Sequence, residues 1–186
     1  MEWQAALDRY PAVIAQQGVQ RLAELDAWYH TELPGLIRSR QPGYVNHAEL
    51  VHITEWKMAR GVWRARNLVL VRGNVPEQVE ATSKAALAKV PDPVAPIKLL
   101  AELAGVGPAT ASAVVAGVAP EIYPFFDELV AAQIPSAEKL VFNMRYYAWY
   151  SNALRERAEQ LGKGWTPANV ERALWSNAGG KTGWQR

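Results

Sequence analysis

LLAELAGVGPATASAVVAGVAPEIYPFFDE, residues 99–128, decides how the rest of the chain is read. Its apolar spacing predicts a helix over 95–103 and a second from Thr110 to Val118, with Ala111, Val114, Val115 and Val118 on one face. Gly105-Val106-Gly107 turns the chain between the two. Pro120 and Pro124 forbid continuation of the second helix, so an extended segment leads to Asp127. This pattern suits an anion. Gly105 and Gly107 carry no side chain and let the backbone approach a ligand closely. The N-terminus of the following helix offers unsatisfied N–H groups and a partial positive charge, and Thr110 adds a hydroxyl. Contacts of this kind to a phosphate backbone are independent of base sequence.

Outward from this stretch nearly every segment has helical periodicity. Residues 3–16 and 19–31 carry it, and Pro34-Gly35 is expected to close the second. Gln41-Pro42-Gly43 marks a turn. Asn46 is a candidate N-cap for a helix through Met58, with Glu49 completing a capping box. Gly61 interrupts, and another helix is expected over 62–72, although LVLV at 68–71 also fits a short strand. Pro76 opens a helix to about Lys89, ended by Pro91, Pro93 and Pro96. The longest helix is expected from Ser136, as N-cap, to Leu161, with a seam through Leu140, Met144, Tyr147, Ser151, Leu154 and Ala158. Thr166 and Pro167 open the last helix, to Asn177, with Glu171 and Arg172 expected outward; the tail 178–186 reads as mobile. No internal repeat is present.

The 186 residues are 49% hydrophobic and 20% charged, the balance of a globular protein. No apolar run reaches the roughly 18–20 residues of a membrane span, and the N-terminus has no signal-peptide pattern. With no cysteine there can be no disulfide, cysteine-ligated zinc or iron–sulfur cluster, which accords with a cytoplasmic setting. His30, His47 and His52 have no metal-ligand spacing. The net charge of +2 is uninformative, but Lys57, Arg60, Arg64, Arg66 and Arg72 lie between Glu55 and Glu77 with no acid among them. Such a block can neutralise phosphates, or can be a solvated helix face.

The motif L-x-x-L-x-G-V-G-x-x-T-A, followed by a proline segment and Asp127, resembles the signature of the helix-hairpin-helix DNA glycosylase superfamily. ELVHITEWKMARGVWRARNLVLV at 49–71 and WTPANVERALWS at 165–176 are similar to a less characterised branch of it, so the likeness covers about residues 46–177. The resemblance implies an all-α, two-lobed fold. One lobe would span about 46–132 with the hairpin at 99–118; the other would combine 1–45 with 133–177. It further implies that Gly105, Gly107 and Thr110 clamp a DNA backbone and that Asp127 is catalytic. Carbonyls matching Ala101, Leu103 and Gly105 would hold a monovalent cation. Lys57, Arg60 and Arg64 become candidate phosphate contacts.

A base removed from the stack needs an aromatic pocket. Trp56, Trp63, Phe125 and Tyr147 are the leading candidates to line it, with Tyr44, Phe126, Tyr146 and Trp149 behind them. Core packing is the other role open to each. Bifunctional members of the superfamily carry a nucleophilic lysine two residues after the second hairpin glycine. Here that position is Ala109, so the expected chemistry is hydrolytic, without a lysine adduct or Schiff-base lyase activity. Asp127 also suits a helix N-cap, and either Asp127 or Glu128 could face the pocket. The expectation is therefore a monomeric, monofunctional glycosylase acting on double-stranded DNA, with alkylated purines the favoured lesion class. It would be cytoplasmic, at the nucleoid in a bacterium or nuclear in a eukaryote. A non-catalytic DNA-binding module and a helical protein-interaction module are the alternatives. Lys57 is open to two readings, a phosphate contact or a buried amine.

Overall fold

The computed structural model describes residues 1–135 and 139–183, and among them the chain is all helical, with no strand. In chain order the α-helices are α1 (Trp3–Asp8), α2 (Tyr10–Gln16), α3 (Leu22–Ala27), α4 (Leu33–Arg38), α5 (His47–Arg60), α6 (Ala65–Arg72) and α7 (Pro76–Leu87). They continue with α8 (Ala95–Leu100), α9 (Pro108–Val118), α10 (Glu128–Ala131), α11 (Met144–Leu161), α12 (Pro167–Asn177) and α13 (Gly180–Gly183). No helix among the described residues is long and apolar enough to cross a membrane.

Several of these elements follow from local chemistry. The Asn46 side chain accepts from Glu49 N–H while the Glu49 carboxylate accepts from Asn46 N–H, a reciprocal capping box. Thr166 caps α12 through Asn169 N–H, with Pro167 in the first turn where its missing N–H costs nothing. LVLV at 68–71 is helical, within α6. Pro34 does not close the second helical region. A π-helical turn, Trp28–Glu32, precedes α4, and Pro34 falls in the first turn of α4, where no intrahelical N–H is required.

Other boundaries differ from the sequence expectation. Arg9 divides the first helix into α1 and α2. The longest helix begins at Met144 because Asn143 caps it through Tyr146 N–H; residues 139–143 are not helical, and Ser136 lies outside the described residues. The tail is held as far as α13: Gln17 donates to Gly179 O and accepts from Thr182 N–H.

Two packing centres organise the core. Helix α5 packs on α3, α6, α7 and α9, and α12 packs on α1, α2, α10, α11 and α13. Arg60, at the end of α5, joins them. Its guanidinium donates to both Glu171 oxygens, at 2.5 and 3.3 Å, and the residues are only 1% and 2% exposed. Glu171 therefore faces inward from α12, against the outward orientation expected from sequence. The apolar positions of α12 alone do not reveal its partner 111 residues away. Aromatic rings of Trp175, Phe125, Trp56 and Tyr10 lie within 4.6–5.6 Å of the guanidinium carbon. Beside the pair, Asp26 accepts from Tyr10 OH at 2.7 Å and from Trp56 Nε1 at 2.8 Å, and Trp56 stacks on Tyr29 at 3.7 Å between ring centres.

Removing one partner of a buried pair strands the other charge, which typically costs about 3–5 kcal/mol. Glu171→Gln is therefore expected to lower the urea midpoint sharply. The double replacement Arg60→Met, Glu171→Leu should recover much of that loss. His30 gives a second test. Burial holds its imidazole pKa down, from 6.5 to about 4, with Asp26 opposing and Arg172 and Arg60 reinforcing the shift. A base with a depressed folded pKa stabilises fully above its unfolded value, and that stability is lost as pH falls. Wild type should lose on the order of 2–3 kcal/mol relative to His30→Gln between pH 6.5 and pH 4, read by denaturant titration at each pH.

Candidate functional site

The hairpin turn is pinned against α6 by two devices. Asn74 accepts from Ala104 N–H at 2.9 Å through Oδ1 and donates to Ala104 O at 2.9 Å through Nδ2. Gly105 has φ +75°, and a Cβ there would lie 2.6 Å from Asn67 O and 2.9 Å from Val71 N. Gly105 thus answers a requirement of the fold, since only glycine combines that backbone conformation with that approach. Gly107 answers none: its φ is −94°, and a Cβ would meet nothing within 4 Å. Beyond it α9 starts at Pro108. The first helical hydrogen bond is Ala111 N–H to Gly107 O, so the Ala109 and Thr110 amides have no helical acceptor.

The extended segment after α9 is held from two sides. Ser112 Oγ accepts from Phe126 N–H at 2.9 Å while donating to Ala109 O. From α11, Tyr150 OH donates to Phe125 O at 2.6 Å and Tyr147 OH to Pro124 O at 3.2 Å. Asp127 then caps α10: its Oδ1 accepts from Leu129 N–H at 2.8 Å and Val130 N–H at 3.4 Å. Oδ2 accepts no hydrogen bond from the described residues.

These elements enclose a cleft of about 360 Å³. Asp127, Glu128, Phe125 and Phe126 line one wall; Gly107 to Thr110 form another. Lys57 from α5, Arg64 at the N-cap of α6 and Asn67 within α6 also line it, as does Phe142. Asp127 is 6% exposed. Burial pushes its carboxyl above the ordinary carboxylate range, while Arg60 and the two capping amides hold the rise in check. Burial likewise lowers the Lys57 ammonium pKa, Arg64 reinforces the effect, and Asp127 and Glu128 oppose it.

The structure thus brings Asp127, Gly107, Thr110, Lys57, Arg64 and Phe125 to one place. It removes others that the sequence suggested. Arg60 is an interior residue bound to Glu171, out of reach of a phosphate. Arg72 pairs with Glu55 at 2.7 Å across two helices, so the acid at the edge of the basic block neutralises one of its members. Trp63 is 54% exposed and outside the lining, Tyr147 supports the wall from behind, and Trp56 is core. Trp56 and Arg60 instead border a separate cavity of about 110 Å³ on the far side of Phe125. Phe142 also lines the cleft, with its ring 4.8 Å from that of Phe126, and no motif or spacing in the sequence marks it.

The cleft can receive an anionic group at the α9 N-terminus, rest a flat apolar group on phenylalanine rings and hold a proton-exchanging carboxyl between them. No grouping of His, Cys, Asp and Glu suited to a metal ion occurs among the described residues. The two hairpin glycines should separate on mutation. Gly105→Ala is expected to destabilise by about 2 kcal/mol or more, whereas Gly107→Ala should change stability by less than about 0.5 kcal/mol, both measured by chemical denaturation. No protein-family model, curated protein or solved structure matches the chain.

Proposed function

We propose that the chain is a DNA-binding base-excision enzyme with a helix-hairpin-helix glycosylase-like fold, which hydrolyses the N-glycosidic bond of a damaged or modified base through Asp127. The observation that carries this reading is the double engagement of Asp127. One carboxylate oxygen is fixed by the α10 amides, while the residue lines a cleft that also contains the open α9 N-terminus. The absence of a structural reason for glycine at 107 supports a close backbone approach by a ligand there. The amides of Ala109 and Thr110 would meet a phosphate, with Lys57 and Arg64 beside it. Arg66, exposed on α6 and without an ion pair among the described residues, is a further candidate phosphate contact.

In this reading the target nucleotide leaves the stack and its base rests among Phe125, Phe126 and Phe142. As the C1′–N bond breaks, its electron pair leaves with the base, which acquires a proton. The carboxylate of Asp127 stabilises the positive charge growing on the sugar. It then accepts a proton from the water whose oxygen bonds to C1′. Ala109 offers no amine at its position, consistent with attack by water. The carbonyls of Ala101 and Gly105 accept no hydrogen bond among the described residues, and that of Leu103 accepts one from Val106 N–H. This leaves oxygen lone pairs for a monovalent cation at the hairpin.

Asp127→Asn keeps the capping oxygen and removes the buried charge, so the variant should be at least as stable as wild type. Duplexes carrying alkylated, deaminated and oxidised bases, treated with hot alkali after incubation, should be cleaved by wild type. The variant should be at least about 100-fold slower. No cleavage above the variant on any lesion would leave a non-catalytic DNA-binding module, provided salt-dependent duplex binding is retained.

A further inference from the structure

Arg60, Arg172 and His30 border the cavity of about 110 Å³ behind Phe125, and each has a buried nitrogen without a hydrogen-bond partner among the described residues. Arg60 commits both terminal nitrogens to Glu171, which leaves its Nε–H without an acceptor although the residue is only 1% exposed. The Arg172 Nε–H is likewise buried and unmet. Its guanidinium hydrogen-bonds Asn169 Oδ1 alone and makes no ion pair among the described residues. His30 Nε2 lies 3.6 Å from Asp26 Oδ1, beyond hydrogen-bond reach, and Asp26 is already engaged by Tyr10 and Trp56. Buried donors left unmet are costly, most of all on charged groups, so a cluster of them at one cavity calls for an acceptor. Glu171 is the one carboxylate on the described wall, and both of its oxygens accept from Arg60. Arg172 therefore leaves a positive charge in excess there.

The rest of the border is small and apolar. Ala116, Gly117, Pro120 and Ala168 carry no polar side chain, and the polar atoms of Tyr29 and Trp56 are engaged elsewhere, on Ala113 O and Asp26. Burial is graded: Arg60, Trp56 and Glu171 are shut off from solvent, Pro34, Ala168 and Arg172 are partly exposed, and Pro120 is exposed. A way in thus lies beside Pro120 and Ala168, which are tied by Ala168 N–H donating to Pro120 O at 3.3 Å. An apolar cavity of about 150 Å³ admits benzene, so this one suits a molecule of about four or five heavy atoms. We propose that the cavity binds a short-chain monocarboxylate of acetate or propionate size, its carboxylate received by Arg60 and Arg172 and its alkyl end by Phe125, Ala116 and Ala168. A neutral molecule would leave the charge of Arg172 unmet. An ion polar on every side would find no donor along the alanine and proline wall. Phe125 borders this cavity and the cleft alike, two residues before Asp127, so an occupant here bears on a wall of the cleft from behind.

Isothermal titration of the full chain with sodium acetate and sodium propionate, at constant ionic strength and near neutral pH, tests this. Acetamide, nitrate and chloride are titrated in parallel. The two carboxylates should bind saturably at a single site. Acetamide, which lacks the charge, and nitrate and chloride, which lack the alkyl end, should bind at least about 10-fold more weakly. Arg172→Gln should weaken acetate binding by about 10-fold or more. Ala168→Leu, which fills the entrance and keeps every charge, should abolish it. Thermal melting without ligand checks that each variant folds, and if Arg172→Gln does not, the result with Ala168→Leu decides. Absence of saturable carboxylate binding, or binding unchanged in the folded variants, would leave a water-filled cavity and overturn the proposal. Acetamide, nitrate or chloride binding as tightly as acetate would overturn the monocarboxylate as occupant. No lesion substrate enters the titration, so its outcome is independent of base excision.

Discussion

A guanidinium with no access to water must be matched by a carboxylate, and the two helices that carry Arg60 and Glu171 must then sit in one relation to each other. The Coulomb attraction between them is offset by the loss of hydration on both sides, which is why the pair is better regarded as a locator than as a source of stability. Burial raises the Glu171 carboxyl to about 7, while the charge of Arg60 pulls it back. The same guanidinium also pulls down the pKa of Asp127. One cation thus joins the packing centres and also opposes the effect of burial on the cleft carboxyl.

Much of the helical architecture was legible because it is written in local signals. Asn46 with Glu49, and Thr166 with Pro167, set helix starts through contacts within a few residues of themselves. Legibility ended where a distant partner decides the outcome. Arg60 is one cation in a run of five, and nothing near it in the chain announces Glu171. Arg72 and Glu55 meet only because α5 and α6 fold against each other. Pro34 signals a helix end when considered alone, but the π-helical turn before it makes room for the ring within a continuing coil.

The candidate site divided along the same line. The hairpin and Asp127 are close in sequence and regular in spacing, so their convergence could be anticipated. Aromatic residues could not be sorted that way, because core and cleft use the same chemistry. Trp56 and Tyr147 are fully buried, Trp63 is largely exposed, and the rings that face the cleft are Phe125, Phe126 and Phe142. The two glycines of the turn are equal on the page of sequence and unequal in space: one is demanded by its neighbours, the other by none of them.

Tyr147 and Tyr150 grip consecutive carbonyls, those of Pro124 and Phe125, three and two residues before Asp127. Both hydroxyls come from α11, which contributes no cleft-lining residue. The extended segment is therefore coupled to α11 like a rack to a gear. A slide or roll of that helix would be transmitted through two hydrogen bonds to the segment that ends at the carboxylate, so the reach of Asp127 depends in part on an element that a ligand in the cleft need not touch.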